Sequence, residues 1–176
     1  MKKIYTIFTI MMLLLVASVS ADIQSADDHY EANGNNGWFD ETNAYDGNDG
    51  TYATSNAYGR LVFRWLGSSS DFVGSTVNAR GIANVEGVNV FDDIEIACRS
   101  SGSGTTLNPE PMTQISLQGN SQQVPFDITG LAIPIACINL ADVNGYMDIS
   151  FESRDSAYTN QLFELEIDNP NYVAVS

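Results

Sequence analysis

Asn43-Ala44-Tyr45-Asp46-Gly47-Asn48-Asp49-Gly50-Thr51-Tyr52-Ala53 is the one stretch whose residue types and spacing carry a recognisable chemistry. Calcium takes six to eight oxygens from carboxylates, hydroxyls and backbone carbonyls, and a glycine-permitted turn of Asp, Asn and Thr can curl to offer them. The stretch packs such oxygen donors, on Asp46, Asn48, Asp49 and Thr51 among others, into a tight turn. The loop is not an EF-hand: counting from Asp46, Ala57 stands where a bidentate glutamate is needed. Asp, Asn and Gly also build ordinary turns, and on composition alone a plain turn is the simpler reading.

The pattern Ala44-Tyr45-Asp46-Gly47, then Thr51 and Ala53, resembles the opening signature of discoidin-like domains. These are also called coagulation-factor type C or galactose-binding-like domains, and they include many carbohydrate-binding modules. Leu162-Phe163-Glu164-Leu165-Glu166-Ile167 is similar to the closing strand of that family, while Ala53 stands where the family has tryptophan. The resemblance implies an antiparallel β-sandwich of jelly-roll type. It also implies a structural calcium held by Asp46, Thr51 and Glu164, with backbone oxygens near Asn43, Asn48 and Asp49, and a ligand gripped by loops at one end. Sugar recognition pairs an aromatic face with directed hydrogen-bonding groups. The candidate aromatics are Trp38, Tyr58 and Tyr158, and the candidate polar partners are Arg60, Arg154 and Asn160. Each has a plainer role open to it: Trp38 could begin the core, and Arg60 could be a solvated outer-face residue.

The elements that must position these residues read as strands. Leu61, Phe63 and Trp65 alternate with Arg60 and Arg64; Met147, Ile149 and Phe151 alternate with Asp148, Ser150 and Glu152; Phe163, Leu165 and Ile167 alternate with Glu164 and Glu166. This period of two marks half-buried strands. Val85–Ile96, Thr113–Leu117, Val124–Ile128 and Leu131–Ile138 add further strand candidates, separated by Gly/Ser/Asn/Pro clusters. No segment of ten or more residues has a clear helical period, so the expectation is an all-β sandwich of about eight strands.

The chain opens with Lys2-Lys3, an apolar run from Ile4 to Val19, and Val19-Ser20-Ala21, the pattern of a secretory signal removed after residue 21. The expected domains are this signal, a polar flexible lead over Asp22–Gly37 and one sandwich domain over 38–176. The expected location is secreted or extracellular, at a cell surface, with no membrane insertion after cleavage. Cys98 and Cys137, each in a strand-like segment, are then expected to form one disulfide, with two buried free thiols as the other reading.

Beyond the signal, five arginines (Arg60, Arg64, Arg80, Arg99 and Arg154) face 22 acids, more one-sided than the net −15 of the whole chain. Such a surface repels phosphate backbones and anionic headgroups, which argues against nucleic acid as a partner. No lysine follows residue 3, so Schiff-base chemistry has no residue to use. His29 is the only histidine and lies in the lead, and no nucleophile elbow, Walker loop or His-Glu-x-x-His motif occurs. The expectation is not an enzyme but a secreted binding module for glycans or another extracellular surface ligand. The alternative is a self-assembling structural subunit of an extracellular layer, sheath or filament, suggested by sandwich edges and the apolar tail Tyr172-Val173-Ala174-Val175.

Overall fold

Alternation in the sequence becomes two stacked antiparallel sheets. A computed structural model describes residues 22–32, 37–48, 50–55, 59–85, 91–101, 108–118, 122–153 and 160–172. Its strands are β1 (Asp22–Gln24), β2 (Asp28–Ala32), β3 (Trp38–Phe39), β4 (Ala53–Ser55), β5 (Gly59–Leu66) and β6 (Thr76–Val85), followed by β7 (Phe91–Ser101), β8 (Asn108–Gln118), β9 (Gln122–Ala132), β10 (Tyr146–Ser153) and β11 (Asn160–Asn169). One sheet runs β3-β4-β11-β6-β9, with β1 also on β11; the other runs β2-β5-β10-β7-β8. From β4 to β7 consecutive strands alternate between sheets, a connectivity of jelly-roll type. The sandwich is as expected, with eleven strands among the described residues rather than about eight.

Side chains that alternate inward fill the space between the sheets. Leu61, Phe63 and Trp65 from one sheet meet Val77, Ala79, Leu162, Leu165 and Ile167 from the other, all essentially buried. Gly81 is required where β6 passes β11, because a Cβ there would lie 2.2 Å from the carbonyl oxygen of Gln161. Pro109 and Pro111 lie in β8 and Pro125 in β9, the strands that end the two sheets. Proline removes backbone donors, so these edges offer a broken row to any further strand.

Three expectations are corrected. Asp22–Gly37 is not simply a flexible lead: β1 pairs with β11 and β2 with β5, and the Trp65 indole N–H donates to the Gln24 carbonyl at 3.1 Å. His29 sits in β2, its Nδ1 2.8 Å from the Tyr45 hydroxyl, rather than in a mobile arm. Leu131–Ile138 is a strand only to Ala132; Ile135–Asn144 is a ten-residue helix. That helix hides its period because apolar residues lie on every side. Cys137, Ile138 and Ala141 point inward, while Ile135 and Val143 are exposed. Pro134 precedes it and Gly145, at φ 77°, closes it, donating its N–H to the Ala141 carbonyl. The disulfide between Cys98 and Cys137 therefore joins β7 to a helix, not strand to strand.

The outer face of the five-stranded sheet is unexpectedly dry. A row of small or aliphatic residues, Val62, Ser150 and Ala97, runs across its middle. Ion-pair rows flank it on both sides. Arg60 pairs with Glu152 and Glu95, while Arg64 and Arg99 both reach Asp148. The Tyr146 ring lies 3.6 Å from the Arg64 guanidinium, and the Tyr30 hydroxyl donates to Asp148 at 2.8 Å. Burial first, and then the Asp148 charge, push the Tyr30 phenol up to about 12 from an ordinary 10.0. The folded protein keeps that proton between pH 10 and 12 while the unfolded chain releases it. Stability from this group is thus complete below pH 10 and falls as pH rises to about 12. An absorbance titration should find a tyrosine ionising late, in step with alkaline unfolding.

Candidate functional site

The Asp46–Thr51 loop closes on itself. The Thr51 hydroxyl lies 2.7 Å from Asp46 Oδ2 and 2.8 Å from the Asn48 carbonyl oxygen, and Asp46 Oδ1 accepts the Asn48 N–H. Asn48 Oδ1 accepts the Gly50 N–H, while Asn43 Nδ2 donates to the Tyr52 carbonyl. Three oxygens, from Asp46, Asn48 and Thr51, thus converge, fewer than the six to eight that calcium takes. Asp49 lies outside the described residues. Among the described residues, no three His, Cys, Asp or Glu side chains are grouped as a metal site.

Glu164 does not join that loop. Leu162 pairs with Gly81 and Glu164 pairs with Arg80, so Phe163 is an extra residue, a bulge in β11. Leu162, Leu165 and Ile167 point into the core, which leaves Phe163 and Glu164 together on the outer face of the six-stranded sheet. The alternation expected for Phe163, Leu165 and Ile167 fails at Phe163 for this reason. Glu164, Arg80 and Asp127 then form one row across β11, β6 and β9. With Asn78, Thr129 and Glu166 they line a cleft of about 90 Å³, none of whose walls comes from the Asp46–Thr51 loop.

The bulge links the two features. Tyr52 follows the loop directly, Phe163 precedes Glu164 directly, and their ring centroids are 5.8 Å apart. Tyr52 is 39% exposed and Phe163 half-buried. An accessible aromatic pair thus stands next to a polar cleft, formed by residues other than the expected Trp38, Tyr58 and Tyr158. A run of two outward residues inside Leu162-Phe163-Glu164-Leu165 was the available signal.

The other nominated residues fall elsewhere. Trp38 is 3% exposed and packs edge-on against Phe151 at 5.7 Å, so it is a core residue and presents no face to a ligand. Its backbone N–H donates to Glu31. Arg60 lies on the opposite sheet, bound to Glu152 and Glu95, and is not a solvated surface group. Asn160 is buried at the start of β11, beside Ser55 of β4. Tyr58, Arg154 and Tyr158 lie outside the described residues, as does the apolar leader.

No protein-family model and no curated protein matches this sequence. Among solved structures the chain is similar to TmCBM61 in complex with β-1,4-galactotriose, with a TM-score of 0.42, 6% identity, and 82% of this chain and 90% of that one covered. It is similar to the family 32 carbohydrate-binding module of NanJ from C. perfringens in complex with galactose, at 0.41 and 10%, covering 82% and 92%. It is also similar to the K1 cleaved adhesin domain of Lys-gingipain from Porphyromonas gingivalis W83, at 0.42 and 13%, covering 84% and 93%. At these identities and TM-scores the likeness carries no statement about what this chain binds.

Proposed function

We propose that this chain is a non-catalytic glycan-binding module that works outside the cell. The observation that carries the reading is the Tyr52–Phe163 ring pair held beside the Arg80, Asp127 and Thr129 cleft by the β11 bulge. A sugar offers a C–H face to a ring and a rim of hydroxyls to directed polar groups, and this surface supplies both kinds of partner. The resemblance of the Asp46 and Glu164 motifs to discoidin-like domains agrees with it. Histidine and lysine chemistry have no residue to use in this cleft: His29 lies on the other sheet, bound to Tyr45, and no lysine follows residue 3.

A calcium ion belongs to the same proposal, confined to the loop. Asp46, Asn48 and Thr51 would hold it, with Asp49, and Glu164 would instead serve the cleft. Bound there, calcium would stiffen the turn that sets Tyr52. The proline-broken edges of β8 and β9 weigh against the filament reading.

A panel of neutral, amino and acidic glycans, probed with the purified protein in calcium and again in EDTA, tests the proposal. Selective binding without chain cleavage, weakened in EDTA, is the expected result. EDTA should also lower the melting temperature of the wild type and leave Asp46→Ala unchanged. Binding to no glycan in either condition would contradict the proposal; an indifferent melt would remove the calcium.

A further inference from the structure

Resting on that reading, we infer that the ligand is a glycan bearing free amino groups, bound on the outer face of the six-stranded sheet and not by end loops. The cleft is not only a cluster of acids. It is a concavity with an amide (Asn78), a hydroxyl (Thr129), a guanidinium (Arg80) and three carboxylates (Asp127, Glu164 and Glu166), flanked by exposed ring surface. Three carboxylates against one guanidinium leave it negative, within a chain of net charge −15.

Glu164 is 1% exposed and lies opposite Arg80 in register, so this pair forms the floor. Asp127 and Thr129 are exposed on β9 and form the rim that a ligand meets first. Asn78 Oδ1 already accepts the Gly130 N–H at 3.0 Å, which turns its amide N–H groups to other partners. An amino-sugar oligomer would place an ammonium at Asp127 and Glu166, hydroxyls at Thr129 and Asn78, and the ring face of a neighbouring sugar on Tyr52, which lies toward β4 on the far side of β11 from the cleft. The tyrosine face favours a cation as well as a C–H surface. Carboxylated or sulfated sugars would bring like charge to the same place and be rejected.

Calorimetric titration with three β-1,4-linked oligomers tests this: glucosamine, its N-acetylated counterpart, and a uronic acid. Glucosamine should bind roughly tenfold or more tighter than the acetylated oligomer, as one charge-assisted hydrogen bond allows, and the uronate should not bind. Asp127→Asn and Tyr52→Ala change exposed side chains and should retain the wild-type melt. Each should weaken glucosamine binding by roughly tenfold, with the salt dependence shrinking only in Asp127→Asn. Equal or tighter binding of the acetylated or uronic oligomer, or variants that bind glucosamine as the wild type does, would overturn the inference and leave glycan binding standing. If no oligomer binds, and none in the wider panel does, both fall.

Discussion

Replacing Asp148 by asparagine should destabilise the protein by about 3–5 kcal/mol, the range for removing one partner of a buried ion pair. Its side chain is fully buried, with Oδ1 2.8 Å from Arg64 Nε and Oδ2 3.0 Å and 3.1 Å from the terminal nitrogens of Arg64 and Arg99. The substitution leaves two guanidiniums on a dry sheet face without their shared counter-charge. That loss is a large share of the roughly 5–15 kcal/mol by which domains are stable. Urea unfolding measures it, and a loss below about 1 kcal/mol would place Asp148 among ordinary surface ion pairs. The Tyr30 phenol should ionise earlier in the variant. It should not return fully to 10.0, because burial is the larger cause of its shift.

Removing the disulfide should cost a similar amount. Cys98 and Cys137 are 39 residues apart, and a closed loop of that length contributes about 4 kcal/mol on the chain-entropy model. Both cysteines are buried, so the Cys98→Ala, Cys137→Ala double variant leaves no stranded hydroxyl. Its melt should match that of reduced wild type, and hydrogen exchange should rise first in Ile135–Asn144. Besides the burial of Ile138 and Ala141, the helix is tied down by Ser69, whose N–H and hydroxyl donate to Asp142 at 2.7 Å each. Those bonds hold the Asp142 carboxyl below its usual range, but Asp142 is exposed and a weak tether. Wild-type stability in reductant would contradict the expectation.

How much of this was legible depended on whether neighbours in sequence settle a residue's environment. Leu61-x-Phe63-x-Trp65 and Met147-x-Ile149-x-Phe151 reach the core as their period requires. Their outward partners are polar, as in any half-buried strand, yet Asp148, Ser150 and Glu152 are buried, because only strand pairing brings Arg60, Arg64 and Arg99 over this face. The polar strand Asp28–Ala32 has no alternation to show and is fixed by its ladder with β5. Trp38 joins the core through Phe151, 113 positions away in the chain, which no local pattern reveals. At the candidate site, Asp46, Thr51 and Glu164 were found by motif. One extra residue in β11 then assigned Glu164 to a different cluster and put Phe163 beside Tyr52. A single-residue shift flips side chains between faces, so the bulge turns Phe163 outward while Leu165 and Ile167 beyond it keep the face their period requires.

The most direct test of glycan binding on this face is amide chemical-shift mapping of the isotope-labelled protein. Glucosamine, N-acetylglucosamine and galactose oligomers would be titrated in turn. Saturable shifts centred on Tyr52, Phe163 and Asp127–Thr129 with at least one oligomer are the predicted result. Shifts centred instead on the ion-pair face around Arg60 and Tyr146, or no saturable shift with any oligomer, would contradict it.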